Sequence, residues 1–145
     1  MKSQHLTNYN ISNKKKGTRF EDHLVELLRG LGFWARPMYP APDGSQPFDV
    51  MAVSPKGELF VFENKTNSGK NFSISRLEDN QLINLEYMNE ILGKDRVWVV
   101  FEKKDGSIGM SRFNEIDLSQ ASAPTGTITF EEFVNDYNYL KRDKD

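Results

Sequence analysis

Pro47-Phe48-Asp49-Val50-Met51-Ala52-Val53-Ser54-Pro55-Lys56-Gly57-Glu58-Leu59-Phe60-Val61-Phe62-Glu63-Asn64-Lys65 is the stretch on which the reading of the chain turns. It reads as two short apolar strands joined by a turn at Ser54-Pro55-Lys56-Gly57. Side chains two apart on a strand share a face. Leu59, Val61, Glu63 and Lys65 therefore point one way, and Phe60, Phe62 and Asn64 the other. Both faces are apolar over the first half, which predicts a central strand covered on both sides. Asp49 opens the first strand, and Glu63 and Lys65 close the second, so the hairpin brings all three to one end. Neighbouring carboxylates repel each other, and a divalent cation would relieve that repulsion by taking both as oxygen ligands. The plainer alternative is a Glu63–Lys65 surface ion pair at a fraying strand end, with Asp49 capping a turn.

The rest of the chain surrounds this hairpin with ordinary globular sequence. Its 145 residues are 37% hydrophobic and 28% charged, the make-up of one domain large enough for a proper core. No apolar run approaches the ~18 residues of a membrane span. The polar start lacks the apolar segment of a signal peptide, so a cytoplasmic protein is expected. With no cysteine, disulfides, zinc–thiolate sites and thiol catalysis are excluded. The net charge of −2 argues mildly against nucleic-acid binding by bulk charge. Its distribution differs: residues 1–16 carry Lys2, Lys14, Lys15 and Lys16 with no acid, and Arg19 follows. That is either a basic, flexible arm able to meet phosphates or a solvated tail.

Outward from the hairpin, Phe20, Leu24, Leu27, Leu28 and Leu31 recur at helical spacing, with Gly32 as a stop. Thr18 and Glu21 make a capping box at its start, and Glu21 could equally face the acidic end of the hairpin. A strand is expected within Gly32–Met38, then a loop from Pro40 to Pro47 whose Asp43-Gly44 fits a turn. After Lys65 the run Thr66–Ile74 reads as a polar loop. A second helix is expected over Ser75–Leu92, its apolar side made by Leu77, Leu82, Leu85, Met88 (or Tyr87) and Leu92, with Gln81 one turn in. Gln81 by itself is most simply an exposed helix glutamine. A buried-type strand over Arg96–Phe101, a turn at Lys104-Asp105-Gly106 and a strand over Ser107–Phe113 form a second hairpin. The stretch 117–126 is polar, and a helix over Thr129–Leu140 ends the fold, leaving a frayed tail at Lys141–Asp145.

The order helix, three strands, helix, two strands, with Asp49 and Glu63-x-Lys65 on the second and third strands, resembles the PD-(D/E)xK nuclease superfamily. Within it the chain is most similar to Holliday-junction resolvases of the RecU and Hjc type. Gly17-Thr18-Arg19-Phe20-Glu21, Gly32-Phe33, Phe62-Glu63-Asn64-Lys65-Thr66, Phe72-Ser73-Ile74 and Asn80-Gln81 carry the likeness, over roughly residues 14–101. Asn64 stands where an apolar residue is usual, and Asn80 where a histidine is frequent. The length suits a compact, phage-type member.

The resemblance implies an α/β (α+β) fold with a restriction-endonuclease-like αβββαβ core. Its central mixed sheet is flanked by helices and extended by a C-terminal hairpin strand and helix. Residues 1–16 become the flexible basic arm and 17–145 the single nuclease-like domain. It implies metal-dependent, structure-selective DNA cleavage, foremost the resolution of four-way junctions in recombination and repair. Restriction- or repair-type cleavage, or an inactive DNA- or protein-binding module, are the alternatives. Asp49, Glu63 and the Asn64 carbonyl would hold Mg²⁺ or Mn²⁺. Lys65 would act in catalysis, with Glu21 contributing through a water and Gln81 positioning the nucleophile. Lys14, Lys15, Lys16, Arg19, Thr66, Lys70 and Arg76 would follow the DNA backbone. Two symmetric cuts imply a homodimer.

Overall fold

The computed structural model describes residues 20–144, other than 45, 67, 68 and 94. The 1–16 arm, including Lys14, Lys15 and Lys16, together with Thr18 and Arg19, therefore lies outside the described residues.

Among the described residues, eight strands and three α-helices follow in the order α1 (20–30), β1 (Trp34–Pro37), β2 (Val50–Val53), β3 (Leu59–Thr66), β4 (Asn71–Ser73), α2 (Asp79–Leu92), β5 (Val97–Glu102), β6 (Ile108–Arg112), β7 (Ser122–Pro124), β8 (Ile128–Thr129) and α3 (Phe130–Lys144). The main sheet is ordered β1-β2-β3-β5-β6-β8. Only β3 and β5 run parallel; every other neighbouring pair is antiparallel. The central parallel pair requires a crossover, which is where β4 and α2 are inserted. The expected αβββαβ core is present, with β3 in its middle as its apolar run predicts.

The turn between β2 and β3 forms as read. Gly57 donates to the Ser54 carbonyl (2.8 Å) with φ +83°, the left-handed region that glycine enters without a Cβ clash. Alternation along β3 then divides the core. Phe60 and Phe62 join Phe20, Leu24, Leu28, Phe133 and Tyr137 on the side of α1 and α3. Val61 joins Leu77, Leu85, Val99 and Phe101 on the side of α2. Phe62 is fully buried and meets the Phe133 ring edge-on at 6.4 Å, so its truncation to alanine would cost about 3–5 kcal/mol. On α2, Met88 packs inward whereas Tyr87 is 64% exposed, which settles that position.

Three boundaries differ from the sequence reading. The second helix starts at Asp79 instead of Ser75: residues Ile74–Arg76 form a 3₁₀ turn, and Glu78 caps the helix in a box with Gln81. The polar segments after Lys65 and across 117–126 are not loops throughout. Asn71–Ser73 pairs with Ser122–Pro124 in a two-stranded sheet that places Phe72 against Phe101. At the C-terminus the Thr129–Glu132 capping box forms, with two bonds of 3.1 Å, and the helix continues to Lys144 through the tail expected to fray.

Candidate active site

Register brings the acids together. Val50 pairs with Phe62, so Asp49 stands level with Glu63 across β2 and β3, on the face turned toward α2. The Asp49 N–H donates to the Phe62 carbonyl (3.0 Å), which fixes the residue at the mouth of the strand. Its carboxylate accepts from the Asn64 N–H (2.8 Å) and from Gln46 Nε2 (2.8 Å). Glu63, in mid-sheet and beneath α2, is 1% exposed. Lys65, two residues on and therefore on the same face, reaches back to Glu63 Oε2 at 3.1 Å. Gln81, in the first turn of α2, accepts from Lys65 Nζ (3.4 Å) and from the Glu78 N–H (3.0 Å). The lysine is thus held between a strand carboxylate and a helix amide.

These partners do not balance the negative charge. Glu63 Oε1 is buried, and among the described residues no group donates to it. Burial, and then the neighbouring Asp49 carboxylate, push the Glu63 pKa up to about 8 despite Lys65. Burial also raises Asp49, against the opposing pull of the Asn64 N–H and Lys65. The two acids titrate as a pair, and a proton on Glu63 would be donated to Asp49. Glu21, on α1, is raised to about 7 by burial, then by Asp49, then by Asp22, so its carboxyl group lies within the field of the pair.

The three core positions, Asp49, Glu63 and Lys65, are brought together, and the surface ion-pair alternative fails because Glu63 is buried. Gln81 also joins them, so it is not merely an exposed helix residue. Glu21 approaches without completing a ligand set: among the described residues no three acidic, histidine or cysteine side chains converge as a metal cage. Thr66, the last residue of β3, and Lys70, beyond the strand, are exposed. Arg76 donates to the Thr66 carbonyl at 2.8 Å, so this arginine braces the strand end. Sequence reasoning missed Gln46, whose only signal is an amide three residues before the acid. Asn64, whose carbonyl is the expected ligand, contributes its N–H to Asp49. The Asn64 side chain faces the other way, with both amide atoms buried and unpartnered.

A mixed sheet with helices on both faces, bearing Asp49 and Glu63-x-Lys65 at one end of its central strands, defines a PD-(D/E)xK nuclease. The profile of the family described as "Archaeal holliday junction resolvase (hjc)" matches residues 12–138, and the chain belongs to that family of junction-resolving nucleases. Among solved structures it is similar to Hjc, a Holliday junction resolvase from the archaeal hyperthermophile Archaeoglobus fulgidus. The TM-score is 0.55 at 17% identity, over 73% of this chain and 85% of that one, a likeness that carries the fold. A search of curated proteins finds no match.

Proposed function

We propose that Asp49, Glu63 and Lys65 form the hydrolytic centre of a divalent-cation-dependent endonuclease that resolves four-way DNA junctions as a homodimer. One observation carries the reading: Glu63 Oε1 is buried and unpartnered beside a second carboxylate whose pKa is also raised. Structural ion pairs are normally satisfied, because an unpaired buried charge is expensive. A pair left in this condition fits a site that completes itself with a cation.

The donors are all oxygen, as Mg²⁺ or Mn²⁺ requires, and few of them suffice because Mg²⁺ keeps several waters. Asp49 and Glu63 would hold the ion, with the Asn64 carbonyl as a further ligand and Glu21 contributing through a water. When bound, such an ion supplies a more acidic water and neutralises charge on the phosphate. Asn64 N–H and Gln46 hold Asp49 in its orientation. Lys65, fixed between Glu63 and Gln81, would direct its ammonium toward the attacking water and the phosphoryl oxygens on which charge develops. One well-placed donor of this kind lowers the barrier by about 3–4 kcal/mol. Gln81 sets the position of Lys65 and of the nucleophile. Lys14, Lys15, Lys16, Arg19, Thr66, Lys70 and Arg76 supply the phosphate contacts, which makes affinity salt-dependent.

The test is cleavage of a labelled four-way junction beside a linear duplex of the same arms, in Mg²⁺, Mn²⁺ and EDTA. Paired nicks confined to the junction and lost in EDTA are expected. Metal-dependent cutting of both substrates would keep the centre and reassign it to a restriction- or repair-type activity. Binding without cutting would make the chain a DNA-binding module.

A further inference from the structure

The face that carries Asp49 and Glu63 continues toward the sheet edge, where no described helix makes more than slight contact with β1 or β2 on that face. Strand register lays its side chains out in three rows: Trp34, Val53 and Leu59; then Arg36, Met51 and Val61; then Met38, Asp49 and Glu63. The third row is completed by the Met38 N–H, which donates to the Asp49 carbonyl at 2.8 Å. Trp34, Val53 and Leu59 belong to neither core. Trp34 is 52% exposed and Tyr39, just past the strand, is 69% exposed. The Arg36 guanidinium lies 6.0 Å from the Tyr39 ring centroid, and Arg29 donates to the Ala35 carbonyl at the outer edge of the strand (3.1 Å). Together they line a shallow groove of about 340 Å³ that contains two guanidinium groups and no carboxylate.

In a chain of net charge −2, two exposed rings stand here beside two guanidinium groups. Rings that stack on bases, interleaved with cations that meet phosphates, are the recurring chemistry of single-stranded nucleic-acid binding. Trp34 and Arg36 lie on the same face as the acidic pair, with Trp34 two rows away, about 13 Å along the strand direction. That separation is about two nucleotides of an extended strand.

We propose that Trp34 and Tyr39 form a stacking platform for unpaired bases beside the branch point of the DNA substrate, with Arg36 and Arg29 meeting the adjoining phosphates. The proposal rests on the nuclease reading above and adds the element that tells branched from fully paired DNA. Both rings are exposed, so truncating them leaves the core intact.

The test titrates a four-way junction carrying 2-aminopurine at the branch, in EDTA, with wild type, Trp34→Ala, Tyr39→Ala and Trp34→Phe, each checked by circular dichroism. Each alanine variant should weaken junction binding about 5- to 100-fold, the range measured for lost base stacking, while binding to the linear duplex is unchanged. Trp34→Phe should keep most of the affinity. Fluorescence of Trp34, the exposed one of two tryptophans, should be quenched by the junction and not by the duplex. If wild type binds and cuts the junction while both alanine variants bind it equally well, the platform is refuted and the nuclease reading stands. If the variants lose affinity because sedimentation shows a dimer falling to monomers, the face is an interface between copies and the proposal fails. If wild type neither binds nor cuts the junction, both readings fall.

Discussion

The two ends of β3 carry the same residue types and use them in opposite ways. At its start, Glu58 pairs with Arg96, and the Arg96 guanidinium also lies 5.2 Å from the Phe60 ring centroid. Beside it Arg112 bridges Asp95 and Glu115 while resting 4.8 Å from the Trp98 ring centroid. Each of these charges has a partner. At the far end, Glu63 stands five residues on from Glu58; it and Asp49 share one lysine, and among the described residues no group donates to Glu63 Oε1. Charge that is matched serves the fold. A buried acid left unmatched keeps its proton or is completed by something from outside the chain.

Cleavage gives the largest effect with which to break this contrast. Asp49→Asn and Lys65→Ala should each lower the single-turnover rate on a junction by about 100-fold or more, with the fold and junction binding kept. A variant that cuts normally would place the chemistry elsewhere.

Stability against pH gives the next. The Glu63 carboxyl moves from an ordinary value of 4.5 to about 8 on folding, so the native state holds the extra proton between those values. By linkage, metal-free stability then falls as pH rises through that window; the penalty is absent below it and complete above it. Melting temperature in EDTA should therefore drop from about pH 5 to about pH 8. Mg²⁺ should restore it at the upper end, and Glu63→Gln should flatten the slope. A flat wild-type curve would mean that Glu63 is better compensated than its contacts indicate.

The satisfied end should answer in the other currency. Arg96→Met removes an ion pair and a cation–π contact, and should destabilise by about 1–2 kcal/mol in denaturant titration without changing the cleavage rate. A rate loss in this variant at full folding would erase the distinction between the two ends. The smallest effect belongs to Gln46→Ala. Losing one neutral donor to Asp49 should move the acidic limb of the pH–rate profile to higher pH and slow cleavage only about two- to ten-fold at neutral pH.

Much of the fold was legible because it is locally encoded. The alternation along β3 and the Ser54–Gly57 turn each follow from neighbours in sequence, and each is present. The pairing of β4 with β7 was not legible. It joins two short polar segments about fifty residues apart, Asn71–Ser73 and Ser122–Pro124, whose only apolar inward residues are Phe72 and Ala123. Such pairing leaves no periodicity to read. Gln46 escaped for a related reason, since a loop amide acquires meaning only from the acid it reaches.

By itself the sequence determined the αβββαβ order and the presence of Asp49, Glu63 and Lys65 at one end of a hairpin, because strand period and turn chemistry are properties of adjacent residues. Tertiary structure decided the rest: that Glu63 is buried, that Lys65 is held between it and Gln81, and that the sheet beyond them lies open at Trp34. Burial and compensation depend on which distant groups share a volume, and only the folded chain brings them there.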